Sequence, residues 1–423
     1  MMDKKHKVID WINENYTKGV KLLSKLIQEP SKRGNEGGAQ AIIIEKCREL
    51  GLELDIWEIG DDVLKNHPHF HCDRSDFMGN PNLVAIKKGK GLGKSILLNG
   101  HIDVVPEGNQ NDWEIDPFSG RIMNGRVYGR GSTDMKGGNV SLLLAIEAIL
   151  ASGINLKGDM IFQSVIEEES GGAGTLAAVL RGYRADGAII PEPTNMKIFP
   201  LQQGSMWFRL IVKGKSAHAG TRYEGVSAIE QSIFVIEAIR DLENKRNEAL
   251  THPLYENISI PIPINLGKIH GGEWPSSVPD TVILEGRLGV APFETVEDAK
   301  ESLKACIKEL NSSFDWFSNK PVELEFFGAR WLPGYIDLDH PFLQTMQAAY
   351  KEKMNREAKL EASPWATDGG YLSGVGGIPT IVFGPGKTEL AHDANEYIEI
   401  EKMIEAAQII AITILDWCEV AEE

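Results

Sequence analysis

Cysteine is scarce in this chain of 423 residues: Cys47, Cys72, Cys306 and Cys418 are scattered and form no Cys-x-x-Cys pair. That excludes a disulfide scaffold and fits a reducing cytoplasm. Long apolar runs are also missing. None approaches the ~20 residues of a membrane span, and the isoleucine-rich stretch near the C-terminus is interrupted by Gln408 and Thr413. The start, MMDKKHKVIDWINENY, turns amphipathic at once and lacks the apolar core of a signal peptide. Positive charge is in deficit: Lys and Arg number 44 against 61 Asp and Glu, a formal net charge of −17. Such a surface repels phosphate backbones and anionic lipid, so neither nucleic acid nor membrane is expected as a partner. What remains is globular, with 42% hydrophobic and 25% charged residues, and the length predicts two or three domains.

The first stretch reads as a helix, with Ile9, Ile12, Tyr16, Leu23 and Ile27 on one face. A second helix runs from about Glu36 to Leu50 and stops at Gly51. Strand-like LELDIWEI, NLVAIK and SILLNG follow, then helical NVSLLLAIEAIL, strand DMIFQSVI, a short helix after Gly174 and strand GAIIP. Strands alternating with helices predict an α/β architecture. Near Leu201 the order becomes strand, helix, strand, strand, helix, strand, the ferredoxin-like βαββαβ unit. After about Trp331 the α/β pattern resumes with a helix, the strand PTIVF and a last helix from about Glu399 to Trp417. The expected organisation is a discontinuous catalytic domain over residues 1–200 and 332–423, with residues 201–331 inserted as a lid or dimerisation module.

Two glycine-rich segments imitate nucleotide sites. GKGLGKS has Lys88 where a phosphate loop needs its first glycine, and it leads into a strand rather than a helix. It reads as a turn, and a nucleotide-dependent phosphotransferase would rest on it alone. GRGSTD ends in Asp134 where a dinucleotide fingerprint needs glycine. In HPHFHCD, His67, His69 and His71 would share one face of an extended chain beside Cys72. Pro68 and the polar surroundings favour a solvated loop over a metal site.

Five other segments combine. LLNGHIDVVP ends a strand with His101 and Asp103 on one face; a metal-bound histidine needs its second ring nitrogen held, which Asp103 can do. GRGSTDMKGG sets Asp134 among glycines, which let a carboxylate approach a cation. SVIEEESGG places Glu167, Glu168 and Glu169 together, costly unless a cation neutralises them. IIPEPTN carries Glu192, and ELAHDANEY carries His392 after a strand and a GPG turn. Each lies at or beyond a strand end, where ligands bind in open α/β sheets.

These motifs (H-x-D, G-x-G-x-x-D-x-K-G, the acid triplet, E-P-T and the late A-H) resemble the M20 metallopeptidase and deacylase family over nearly the whole chain. The resemblance implies a di-zinc exopeptidase-like α/β catalytic domain with an inserted ferredoxin-like domain. It implies two Zn²⁺ per chain, with Co²⁺ or Mn²⁺ able to substitute: His101 and Glu192 on one, Glu169 and His392 on the other, Asp134 bridging. Asp103 would orient His101, and Glu168 would be the general base. The triplet begins with Glu167 where the family has Asp; counting back from Gly174 selects Glu169 as ligand and Glu168 as base, the alternative register being Glu168 and Glu167. By the same resemblance His218 binds the oxyanion, in some relatives across a dimer interface. Arg287 and the loop Thr367, Asp368, Gly369 bind a substrate carboxylate. Where many members have Asn before V-x-P, this chain has Ser276-Ser277-Val278-Pro279. The implied function is an acetylornithine deacetylase-like deacylase acting on a small N-acylated amino acid, as a cytoplasmic homodimer. Alternatives are a dipeptidase or carboxypeptidase, a desuccinylase and an N-formyl aminopyrimidine deformylase. A binding-only member of the fold would not need the complete ligand set and base that this chain carries.

Overall fold

The computed structural model describes residues 2–422. The chain divides into two compact units, one of Met1–Leu201, Gly334–Glu361 and Thr367–Glu423, the other of Gln202–Pro333 and Ala362–Ala366.

The first unit is α/β, as the alternation predicts. Its sheet runs in the order Glu53–Glu58, Pro81–Lys87, Met160–Val165, Ile96–His101, Ala188–Ile190, Thr380–Val382, Ile198–Gln202 and Gly334–Tyr335. The four strands Met160–Val165, Ile96–His101, Ala188–Ile190 and Thr380–Val382 are mutually parallel, so their carboxyl ends share one edge. These strands read as near-continuous apolar runs because both faces are covered. On one face Leu97, Ile161, Ala188 and Ile190 join Ala178, Val179, Leu372 and Ile378 in a buried cluster. Elsewhere in the unit the helices Met2–Gln28, Gly137–Ala151 and Ile400–Cys418 pack on one another. The first helix turns its face slightly from the expected one. Val8, Ile12, Val20, Leu23, Leu26 and Ile27 are buried, while Ile9 and Tyr16 sit half-buried at its shoulder. Gly19 lies on the buried face, where a Cβ would come within 2.7 Å of Leu144.

The second unit is a four-stranded antiparallel sheet in the order Ile264–Gly271, Thr281–Val290, Gly204–Lys213, Glu323–Trp331. Between them in sequence lie the helices Ala228–Ala249 and Val296–Ser313, which give the βαββαβ order. Alternation along the central strand decides the faces: Met206, Phe208, Leu210 and Val212 are buried in a core shared with Ile239 and Leu303 from the two helices. The second helix starts on a full capping box, Thr295 with Asp298. Ile198–Gln202, interrupted by Pro200, and a ribbon of the two- and three-residue strands Ile122–Met123, Arg126–Tyr128 and Tyr397–Glu399 escape a sequence reading. Among the described residues no helix is long and apolar enough to cross a membrane.

Candidate metal centre

His101 ends its strand, paired in register with Val165, two residues before the acid triplet. Gly100 is required beneath it, because a Cβ there would lie 1.8 Å from the Asn139 side chain, whose Nδ2 donates to the His101 carbonyl at 2.6 Å. The ring Nδ1 donates to the backbone carbonyl of Asp103 at 2.9 Å, whereas the Asp103 carboxylate stands 3.7 Å away. Asp103 thus meets His101 through its carbonyl, and its carboxylate accepts the N–H groups of Glu168 at 3.2 Å and Glu169 at 3.0 Å. With Nδ1 donating, Nε2 is directed at Asp134 Oδ1, 3.2 Å away, and at Glu192 Oε1, 3.6 Å away.

The other oxygen of Asp134 faces a different histidine. Its Oδ2 is 3.3 Å from His392 Nε2, which is also 3.2 Å from Glu169 Oε2. The structure thus brings His101, Asp134, Glu169, Glu192 and His392 together, in two sets that meet at Asp134. Glu168 is buried among them and joins His101 and Glu192 in one group of converging donors. Glu167 turns away, to Arg33 and Arg74.

The electrostatics show what this clustering costs. Burial raises the Glu192 carboxyl to about 7 against the pull of His101. Burial likewise holds Glu168 well above the usual carboxylate range. Glu169 foremost lifts His392 to about 11. For His101, burial opposes the charged form, but Glu192 and Asp134 outweigh it and lift the imidazole well above its ordinary value. Asp134 moves the other way: burial would raise it, yet its contacts with His101 and His392 hold it far below the usual carboxylate range. The cluster thus gathers five carboxylates around two imidazoles, an excess of negative charge that a cation would offset. A mixed set of imidazole nitrogens and carboxylate oxygens, with donor atoms within 4.8 Å of one another, fits divalent cations such as zinc. Glu169 Oε1, buried without a hydrogen-bond partner, fits the same reading.

One residue here escapes sequence reasoning. Glu396 is fully buried and accepts the N–H groups of Gly131, Thr133 and Asp134 at 3.0, 2.8 and 3.1 Å, together with Arg130 Nη1 at 2.6 Å. It locks the loop that carries Asp134 to the loop that carries His392. Only its spacing, four residues after His392, signals it. Gly131 has a left-handed φ of +83°, and a Cβ there would sit 2.5 Å from Val104, so the loop needs glycine on both counts.

Thr367 and Asp368 are buried, and Asp368 accepts the Thr175 hydroxyl at 2.7 Å while Thr367 Oγ1 accepts the Gly369 N–H at 3.0 Å. The other Asp368 oxygen, Oδ1, is buried without a hydrogen-bond partner. Burial pushes the Asp368 carboxyl to about 6. Among the described residues the converging donor groups are His101–Asp134–Glu169 and His101–Glu168–Glu192, so His67, His69, His71 and Cys72 form none. His67 Nδ1 accepts the His69 N–H at 3.3 Å, and His71 bonds the Pro68 carbonyl at 3.1 Å. In the GKGLGKS turn, Gly89 and Gly93 pack against Lys157, Gly158 and Cys418, too closely for any side chain.

In the second unit, His218 is exposed and its Nδ1 accepts the Gly220 N–H at 3.0 Å. That bond fixes the tautomer of the neutral ring, leaving the proton on Nε2. The Ser276–Pro279 departure lies directly beside it, since Ser277 bridges His218. Arg287 pairs across the sheet with Trp207 and Asn265, on the face opposite the core residues Leu284 and Leu288.

Peptidase family M20/M25/M40 matches residues 97–416. The N-formyl-4-amino-5-aminomethyl-2-methylpyrimidine deformylase of Bacillus subtilis is 32% identical, over 94% of this chain and 93% of the relative. That of Halalkalibacterium halodurans is 30% identical over 96% of both. An acetylornithine deacetylase of Aliivibrio salmonicida is 29% identical over 86% of this chain and 88% of its own. Among solved structures, the di-peptidase Dug1p of Saccharomyces cerevisiae shares the fold over 100% of both chains with a TM-score of 0.79 at 17% identity. With motif set, site geometry and a family match across most of its length in agreement, this chain is a metal-dependent amide hydrolase belonging to peptidase family M20.

Proposed function

We propose that the chain is a di-zinc amidohydrolase that removes the formyl group from an N-formyl aminomethylpyrimidine. One observation carries the reading of the site: the two oxygens of Asp134 face different histidines, each accompanied by another acid. His101 and Glu192 would hold one cation, Glu169 and His392 the other, and Asp134 both. Cobalt or manganese could replace zinc in such a mixed nitrogen and oxygen set. Two divalent cations would supply Lewis acidity, which brings the pKa of water from about 16 to about 7 and polarises an amide carbonyl. The protein's own part is proton handling and orientation. Glu168 takes the proton of the attacking water and returns it to the leaving amine. Asp103 fixes Glu168 and Glu169 through their N–H groups, so the base and a ligand move as one piece. His218, with its proton on Nε2, donates to the tetrahedral oxyanion.

The formyl-pyrimidine reading of the substrate draws on the two deformylases matched over nearly the whole chain. A second reading, a deacylase of N-acylated amino acids, draws on Arg287 and on the acetylornithine deacetylase relative. A second copy is the inferred partner. The strand Ile264–Gly271 is an open sheet edge, and Ile229, Ile233 and Ile269 are 47%, 53% and 57% exposed, which suits an isologous dimer through the second unit. The four thiols are all free, consistent with a cytoplasmic setting.

Protein purified without chelator should carry close to two divalent ions per chain, and Asp134→Ala should lose both; a fully loaded variant would refute the bridge. Glu168→Gln should keep its metals while kcat falls by about two to four orders of magnitude. Unchanged kcat would remove Glu168 as the base.

Substrate class is decided by hydrolysis of the N-formyl aminomethylpyrimidine beside N-formyl, N-acetyl and N-succinyl amino acids. The pyrimidine should give the highest kcat/KM, and Arg287→Ala should leave it within about threefold. A preference for amino-acid substrates, with Arg287→Ala raising their KM alone, would establish the second reading, since a carboxylate contact present before and during reaction acts as uniform binding.

His218→Ala should lose kcat and keep its metals. Mixing it with Glu168→Gln under subunit exchange should restore activity if His218 serves the partner's site, because one site of the mixed dimer is then intact. Silence after verified exchange would show that it serves its own.

A further inference from the structure

We propose that Glu167, clamped by Arg33 and Arg74, is a positioning residue that sets the general base Glu168; this rests on the assignment of Glu168 as the base. Three acids stand in a row, and the outermost has no place among the converging donors. Its side chain is fully buried nonetheless. Arg33 Nε donates to it at 3.0 Å, Arg74 Nη1 at 2.6 Å, Ser170 Oγ at 2.7 Å and the Cys72 thiol at 3.3 Å. Burial, followed by Glu167 itself, pushes that thiol to about 12, so it stays a donor. Arg74 also binds the buried Glu36 at 2.8 Å and lies over the Phe77 ring, 4.7 Å from its centre. Arg33 also reaches Asp73 at 2.5 Å.

The cluster therefore gathers two stretches distant in sequence, residues 33–36 and 72–77, on one carboxylate. Two guanidinium groups meet two buried acids, Glu36 and Glu167, so the charges are paired as burial demands.

Why this should matter for the base follows from the backbone. Glu167 has a φ of +62°, a left-handed conformation that a side-chain-bearing residue adopts only when its surroundings enforce it. The enforcing contacts here include those of its own carboxylate. The next residue is Glu168, so the direction in which the base leaves the strand is set at the clamped position. Its carbonyl accepts the Gly172 N–H at 2.8 Å, and that of Glu168 accepts the Gly171 N–H at 3.1 Å, which closes the turn. Asp103 holds the amides of the turn from one side; Glu167 anchors its start from the other.

The test is a double-mutant cycle on the metal-loaded enzyme, with metal content and KM measured alongside kcat. Displacing a reacting group by about 1 Å costs on the order of 10²-fold in rate. Glu167→Gln should accordingly lower kcat by about 10–100-fold, with KM within about threefold and both metals retained. In a Glu168→Gln background the same change should be nearly silent, because a residue that acts only through the base has nothing left to position. Glu167→Asp, which keeps a carboxylate for one arginine, should recover part of the loss. Should Glu167→Gln fail to fold, Arg33→Gln, at a partly exposed side chain, should show a smaller loss of about 3–10-fold that also disappears in the Glu168→Gln background. An undiminished loss in that background would overturn the proposal, as would loss of metal in Glu167→Gln or unchanged kcat. If Glu168→Gln itself keeps full kcat, the base assignment fails instead and the positioning role falls with it.

Discussion

Carboxylates crowded at the ends of parallel strands are the constraint on which the rest of the molecule turns. Asp103, Asp134, Glu168, Glu169 and Glu192 converge where the sheet ends, and two imidazoles sit among them. Like charges so close in a buried site raise one another's proton affinity, and an isolated buried carboxylate costs several kcal/mol after relaxation. The fold meets that cost with fixed donors placed where each acid can use them. Asp103 receives two backbone N–H groups. The Glu396–Arg130 pair holds the Asp134 loop through its backbone N–H groups. The remaining demand for positive charge is what makes the centre a cradle for cations rather than a polar core.

Parallel strands make such convergence possible, since they deliver successive carboxyl ends to one edge. Glycine sits close to two of these side chains. Gly100 and Gly131 each leave space that a methyl group would fill, against Asn139 and Val104. The loops that carry these side chains are thus closely packed from below as well as tied from the side.

Much of this was legible in the sequence, and what was not has a common cause. His101, Asp134, Glu169, Glu192 and His392 each sit in a short motif beside a strand end, so local pattern suffices to nominate them. The βαββαβ order of the second unit is equally local. Asp103 shows the limit. Its presence was readable, but whether carbonyl or carboxylate holds His101 depends on the turn that follows. Asp368 illustrates it again, because the direction of its side chain is decided by Thr175, far away in the chain. Glu396 was invisible for the same reason: its work is done on amides more than 260 residues distant. Pattern names the groups that carry chemistry; it does not name the groups that hold them, whose partners are chosen by tertiary contacts.

This division also bounds what the metal centre says about substrate. Its donors meet an amide carbonyl and a leaving nitrogen, which formyl, acetyl and succinyl amides share. Discrimination among acyl groups differing by a methylene is worth only about 1–3 kcal/mol in an apolar pocket, whereas a polar group built to bind a substrate partner discriminates far more strongly. Specificity should therefore lie in the residues that differ among chains with this centre. Thr367 and Asp368 lie buried, and Ser276-Ser277 stands beside His218. The centre accordingly sets the class of bond that is cleaved and leaves the choice of acyl group and amine to the residues around it.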